Sequence, residues 1–179
     1  VGKSSIVVRY VYNTFSTEYI PTLQDHYTKT ERVEDDVFKL NILDTSGTED
    51  FVSVMVSEWM ENKDGLILAY SVESPGFLKS LEAFVQKITY YDSENEIPKI
   101  LIANKIDIKD REISEEDGEQ FAKKMGAEYV EVSAKNDYNV NEAFMILLKK
   151  IRNKRKIIKQ ASNLSNFSTQ PNSGKTSGN

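Results

Sequence analysis

The sequence predicts an α/β fold in three layers, a mostly parallel sheet with helices on both faces. Three observations predict it. Gly65–Ser71, Lys99–Ala103 and Tyr129–Val132 are short, continuous apolar runs, which suit parallel strands covered on both sides. Between them stand segments whose apolar residues recur at helical spacing. The alternation of the two is the pattern of layered α/β domains, whose ligands sit beyond the carboxyl ends of the strands. A length of 179 residues leaves room for one such domain.

Each element follows from its residues in order. An amphipathic helix follows Val1-Gly2-Lys3-Ser4. Glu34-Asp35-Asp36 reads as a hairpin turn rather than a metal site. After it Phe38, Leu40 and Ile42 alternate with Lys39 and Asn41, the period of a half-exposed strand over Phe38–Leu43. Pro75 begins a helix running through Phe77, Leu81, Phe84 and Ile88. Ser114-Glu115-Glu116-Asp117 has capping-box spacing and opens a helix that ends near Gly126. Asn139-Val140-Asn141-Glu142 opens the last helix, with Val140, Ala143, Phe144, Leu147, Leu148 and Ile151 on one buried face. Residues 160–179, rich in Ser, Asn, Gly and Thr, read as disordered. The domain is therefore expected over 1–157, with a polar tail over 158–179 after a basic helix end.

Composition excludes several chemistries. Without cysteine there are no disulfides, thiolate metal sites, cysteine nucleophile or cysteine lipidation within this chain. One histidine, His26, excludes polyhistidine metal sites and argues against a Ser-His-Asp hydrolase. His26 reads as a solvent-facing strand residue and Trp59 as a packing residue of its helix. Apolar stretches such as Leu66–Tyr70 are far short of the ~20 residues of a membrane helix. The net charge of −5 is uneven: residues 149–159 carry seven basic side chains and the tail adds Lys175, leaving −13 on residues 1–148. An acidic body argues against nucleic-acid binding.

Four short motifs carry the chemistry. Val1-Gly2-Lys3-Ser4 is the last half of a phosphate-binding loop, in which helix N–H groups face phosphate, an ammonium reaches the β/γ-phosphates and a hydroxyl meets Mg²⁺. Asp44-Thr45-Ser46-Gly47-Thr48 follows a strand directly, so the aspartate can hold Mg²⁺ through a water and Gly47 can offer a backbone N–H to a γ-phosphate. Asn104-Lys105-Ile106-Asp107 ends the third apolar strand, and Ser133-Ala134-Lys135 follows the fourth. An aspartate accepting from both N1 and N2 of guanine rejects adenine, because the analogue leaves buried groups unpaired. This disfavours an adenine-nucleotide phosphotransferase.

With these four motifs in order, each at a strand's carboxyl end, residues 1 to about 155 resemble a small GTPase of the Ras superfamily, in the Ras and Rap branch. The resemblance implies a P-loop fold and a guanine-nucleotide switch using GTP/GDP and Mg²⁺. It places Val1, Gly2, Lys3, Ser4 and Ser5 at the phosphates, Phe15 on the guanine, and Pro21 and Thr22 in the first switch. It makes Ser4 and Thr22 Mg²⁺ ligands, with Asp44 reaching the metal through water. Asn104 and Asp107 go to the base, Lys105 to the base and sugar, and Ser133, Ala134 and Lys135 to the guanine carbonyl region. Lys3, Gly47 and Thr48 form the implied catalytic set.

Departures shape the expected activity. The family's Ala-Gly-Gln-Glu is here Ser46-Gly47-Thr48-Glu49, a threonine in the Rap manner, so slow hydrolysis is expected. Ile20 and Gln24 stand where the first switch usually carries carboxylates. The implied partners are Ras-binding-type effectors over residues 19–32, an exchange factor and a Rap-type activating protein, with a monomeric chain. The basic run 149–159 is expected to touch an anionic membrane face, in the cytoplasm at the plasma membrane or an endomembrane. An alternative is a GTP-bound interaction protein with negligible hydrolysis. The strand and first glycine expected before the phosphate loop are not in the sequence, which reads as N-terminally incomplete.

Overall fold

The computed structural model describes residues 1–18, 22, 24–45, 47, 49–74 and 76–168. In chain order the elements are α1 (Lys3–Tyr12), β1 (Gln24–Val33), β2 (Asp36–Thr45), α2 (Glu49–Met60), β3 (Leu66–Ser71), α3 (Phe77–Tyr91), β4 (Lys99–Asn104), α4 (Glu115–Lys124), β5 (Glu128–Val132) and α5 (Val140–Ser168). Each strand and helix expected from the sequence is present.

The strands do not form one sheet among the described residues. β3, β4 and β5 pair in parallel, in that order, while β1 and β2 form a separate antiparallel hairpin from Gln24↔Thr45 to Val33↔Asp36. Glu34 and Asp35 make its turn, Glu34 in the left-handed region at φ 54°.

Two apolar clusters join these pieces. Alternation along β4 sends Ile100 and Ile102 to one face and Leu101 and Ala103 to the other. The first face packs under α1 and α5: Ile6 and Tyr10 meet Phe144, Leu147 and Leu148, and the hairpin contributes Val33 and Phe38 to this same cluster. The rings of Tyr10 and Phe144 stack at 3.7 Å. The second face is covered by α2, α3 and α4 through Val56, Leu81, Ile88 and Phe121. Each such side chain is worth about 1.5–3 kcal/mol on burial. All six residues assigned to the apolar face of α5 are buried.

Helix signals also hold at the residue level. Ser114 caps α4, its Oγ accepting from Asp117 N–H at 3.1 Å. Its hydroxyl in turn donates to Asp117 Oδ2 at 2.6 Å. Gly126, at φ 69°, follows the helix end.

The disordered tail is corrected in part. Residues 160–168 continue α5. No glycine or proline interrupts the chain between Gly126 and Pro171, and Ser162 Oγ donates back to Ile158 O at 2.9 Å, so its polar side chain competes with no helical N–H. Residues 169–179 lie outside the described residues.

The basic run is also more structural than expected. Four of its seven cations are paired with the domain's own acids: Lys150 with Glu128, Arg152 with Glu34 and Asp36, Lys154 with Glu96, Arg155 with Asp64. Arg152 is almost fully buried. The helical spacing that buries Leu148 also carries position 152 inward, where its charge meets the acids of the hairpin turn. Lys149, Lys156 and Lys159 form no ion pair among the described residues, and Ile157 and Ile158 are exposed beside them.

Candidate functional site

The site assembles where the start of α1 meets the carboxyl ends of β4 and β5. Asn104 is the joint. It is only 2% exposed. Its Nδ2 donates to Val1 O at 3.0 Å, and its Oδ1 accepts from Ala134 N–H at 3.2 Å. One side chain thus ties the Val1-Gly2-Lys3-Ser4 segment to the Ser133-Ala134-Lys135 loop. Gly2 is required beside it, because its φ is 87° and a Cβ there would lie 2.7 Å from Asn104 Nδ2.

The first helical bond of α1 is Ile6 N–H to Gly2 O, 3.0 Å, and no side chain caps the helix. The N–H groups of Lys3, Ser4 and Ser5 therefore have no intrahelical partner. They form an anion seat with the positive end of the helix behind it. Burial holds the Lys3 ammonium below its ordinary value, against the pull of Asp44. A Cβ on Gly47 would lie 3.0 Å from Lys3 Nζ, so Gly47 stands close over the lysine.

Three oxygen-bearing residues gather next to this seat. Ser4 Oγ and Thr22 Oγ1 are 3.0 Å apart. Asp44 is buried at the end of β2, and its Oδ2 has no hydrogen-bond partner among the described residues. Burial raises its carboxyl, while Ser4 and Lys3 draw it back down. A buried carboxylate oxygen without a partner is costly unless a cation or donor completes it. Two hydroxyls and one carboxylate are hard oxygen donors of the kind Mg²⁺ accepts alongside water and phosphate oxygens. Among the described residues no three Asp, Glu or His side chains converge on a point.

The residues expected at the base gather around Ser133 and Asp107. Ser133 Oγ donates to Asp107 Oδ1 at 2.6 Å, and Asn136 N–H donates to Ser133 Oγ at 3.0 Å. Asp107 Oδ2 stands 4.0 Å from Lys135 Nζ, and its unused lone pairs can accept further donors. Lys105 follows β4 in the left-handed region and pairs with Glu73. Phe15 packs partly buried against the first cluster.

Two further residues of this site were not found by sequence reasoning. Arg9 Nε donates to Ala134 O at 2.9 Å and Arg9 Nη2 to Lys135 O at 3.1 Å, with its guanidinium 5.9 Å from the Phe15 ring centroid. Arg9 therefore holds the base loop from below. Nothing local marks it, since the contact joins residues 125 positions apart. Glu73 carries one signal, its place two residues past the end of a parallel strand. Pro21 and Thr48 lie outside the described residues, as do Tyr19, Ile20, Leu23 and Ser46.

Residues 1–153 match the Ras family model. The chain belongs to the Ras family. This family member is 36% identical over 175 residues to Ras-like protein rasU of Dictyostelium discoideum, covering 89% of this chain and 81% of that protein. It is 37% identical over 153 residues to Ras-like protein 1 of Saccharomyces cerevisiae, covering 85% of this chain and about half (49%) of that longer protein. It is 37% identical over 145 residues to Ras-like protein rasW of Dictyostelium discoideum, covering 80% of this chain and 67% of that protein. Family membership makes it a small GTPase of the signalling-switch type, with guanine nucleotide as the general ligand. The loops tied together by Asn104 are the ones expected to hold that ligand.

Proposed function

We propose that this chain is a Mg²⁺-dependent guanine-nucleotide switch that hydrolyses GTP slowly and offers its switch segments to effectors. The observation that carries the reading is Asn104, buried and bonded to both Val1 O and Ala134 N–H. It joins the segment expected to seat the phosphates to the loop expected to meet the base, at the carboxyl ends of β4 and β5. Asp107 would take the guanine N1 and N2 donors, and Ala134 N–H the guanine carbonyl. Ser4 and Thr22 would hold Mg²⁺, with Asp44 reaching it through water. When bound, the ion neutralises charge on the phosphate oxygens. Lys3 adds a partly desolvated cation there.

Slow hydrolysis follows from Thr48, too short to orient a water as a glutamine does. Thr48→Gln should raise the single-turnover rate at saturating Mg²⁺. Equal rates would show that Thr48 does not limit hydrolysis. A Rap-type activator, inserting an asparagine amide, should accelerate the wild type. An arginine-only Ras activator, whose gain of roughly 10³–10⁵ relies on the glutamine, should not.

Partner binding is assigned to the first switch and β1, residues 19–32. Among the described residues β1 pairs with β2 alone, which leaves its other edge for strand addition. An exchange factor completes the cycle. For the basic helix end, Lys149, Lys156, Lys159 and exposed Ile157 and Ile158 support weak, reversible contact with an anionic cytoplasmic membrane face. Flotation with anionic vesicles should show binding that high salt abolishes; no binding at low salt would exclude it.

Chromatography of nucleotide released from the purified full chain tests the core reading. GDP or GTP is expected. Adenine nucleotide, or none after loading in Mg²⁺, would overturn it.

A further inference from the structure

Glu73 stands just past the end of β3 and makes two bonds with one oxygen. Its Oε1 accepts from Ser71 Oγ at 3.2 Å and from the Lys105 ammonium. Both partners belong to the strand ends that build the base site. Ser71 is fully buried and lies opposite Asn104 in the β3–β4 register. Val72 N–H donates to Asn104 O at 3.1 Å. Glu73 is thus fastened to the strand end that presents Asn104, and it reaches across to the next residue of the recognition motif. Lys105 holds φ 69°, a conformation that disfavours a residue with a Cβ. The Lys105 hydrogen bond holds the Glu73 carboxyl below its ordinary value.

We infer that Glu73 is a positioning residue of the nucleotide site, holding Lys105 in its binding orientation and so slowing nucleotide release. The inference rests on the guanine-nucleotide reading above. Its physical basis is preorganisation. A free lysine loses rotamer freedom when its ligand binds, and a lysine already clamped by a carboxylate has less to lose. The pair is about one-third exposed, 37% at Lys105 and 35% at Glu73. Water and salt therefore screen it, and the effect should be modest, about two- to fivefold in release rate.

The test follows release of a fluorescent GDP analogue from the loaded full chain, with unlabelled GDP in excess. Glu73→Gln should release faster than wild type, and high salt should narrow the difference. Lys105→Ala should release faster still, and adding Glu73→Gln to it should change nothing further. Release that is unchanged or slower in Glu73→Gln would overturn the inference, the slower case meaning that Glu73 withdraws Lys105 from the nucleotide. The same acceleration in the Lys105→Ala background would also overturn it, since a merely structural role does not depend on Lys105. Failure of the underlying reading looks different, because the wild type would then retain no guanine nucleotide to release.

Discussion

At the scale of single residues, Asn104 shows how one side chain can decide whether a site exists. Its amide spends both ends on backbone groups of two different loops. Asn104→Ala leaves Val1 O and Ala134 N–H without these partners, and an unmet buried group costs about 1–3 kcal/mol. The variant should melt several degrees lower and lose nucleotide faster, read by thermal unfolding and by the same fluorescent release assay. Unchanged release would mean that the two loops hold their places without it. Arg9 supports the same loop by two bonds to Ala134 O and Lys135 O. The sequence marks Asp107 only as an expected guanine acceptor; its bond to Ser133 Oγ is not visible there, because that contact depends on how two loops come together.

At the scale of elements, α2 and β1 meet through a polar contact. Trp59, buried on α2, donates from Nε1 to Gln24 Oε1 at 3.3 Å. An indole nitrogen can only donate, so the Gln24 carbonyl oxygen must face it. The Gln24 amide nitrogen is then left toward the exposed His26 ring, 3.3 Å away. Gln24, the first residue of β1, is therefore tied to α2. Trp59 as a packing residue and His26 as a solvent-facing one were both legible, but their common link to Gln24 was not. Ile20→Asp with Gln24→Glu should speed association with a basic Ras-binding domain at low salt, because rim charges act chiefly on encounter rate. The glutamate keeps an acceptor for Trp59 Nε1–H, so the tie survives the substitution. Stopped-flow association at two ionic strengths checks this; an unchanged rate would dismiss the charge argument.

At the scale of the whole molecule, the periodicities read in the sequence held wherever the information was local. Strand runs, the Ser114 cap and the α5 face each depend on neighbours a few residues apart. What the sequence did not disclose depends on distant pairing: the split into two sheets, the pairing of the basic helix end with Glu34, Asp36, Asp64, Glu96 and Glu128, and Arg9 under the base loop. The split has an energetic consequence. No strand hydrogen bond joins the hairpin to the parallel sheet among the described residues. Their connection is the cluster under α1 and α5, which includes Val33 and Phe38 from one and Ile100, Ile102 and Val130 from the other. The proposed ligand set also straddles the split: Thr22 and Asp44 lie on the hairpin side, Asn104, Asp107 and Ala134 on the parallel side, with Lys3 and Ser4 between them. A ligand that binds both halves of the native state and not the unfolded chain stabilises by mass action, about 2.7 kcal/mol at a hundredfold excess over its Kd. GDP with Mg²⁺ should therefore raise the melting temperature by several degrees and sharpen unfolding into one transition. Chelating Mg²⁺ should reverse most of that gain and speed nucleotide release, because the buried Asp44 Oδ2 then loses the cation that the bound state supplies. Calorimetry with GDP alone, with GDP and Mg²⁺, and after chelation resolves the two contributions. A melting curve indifferent to all three conditions would mean that the apolar cluster alone holds the halves together.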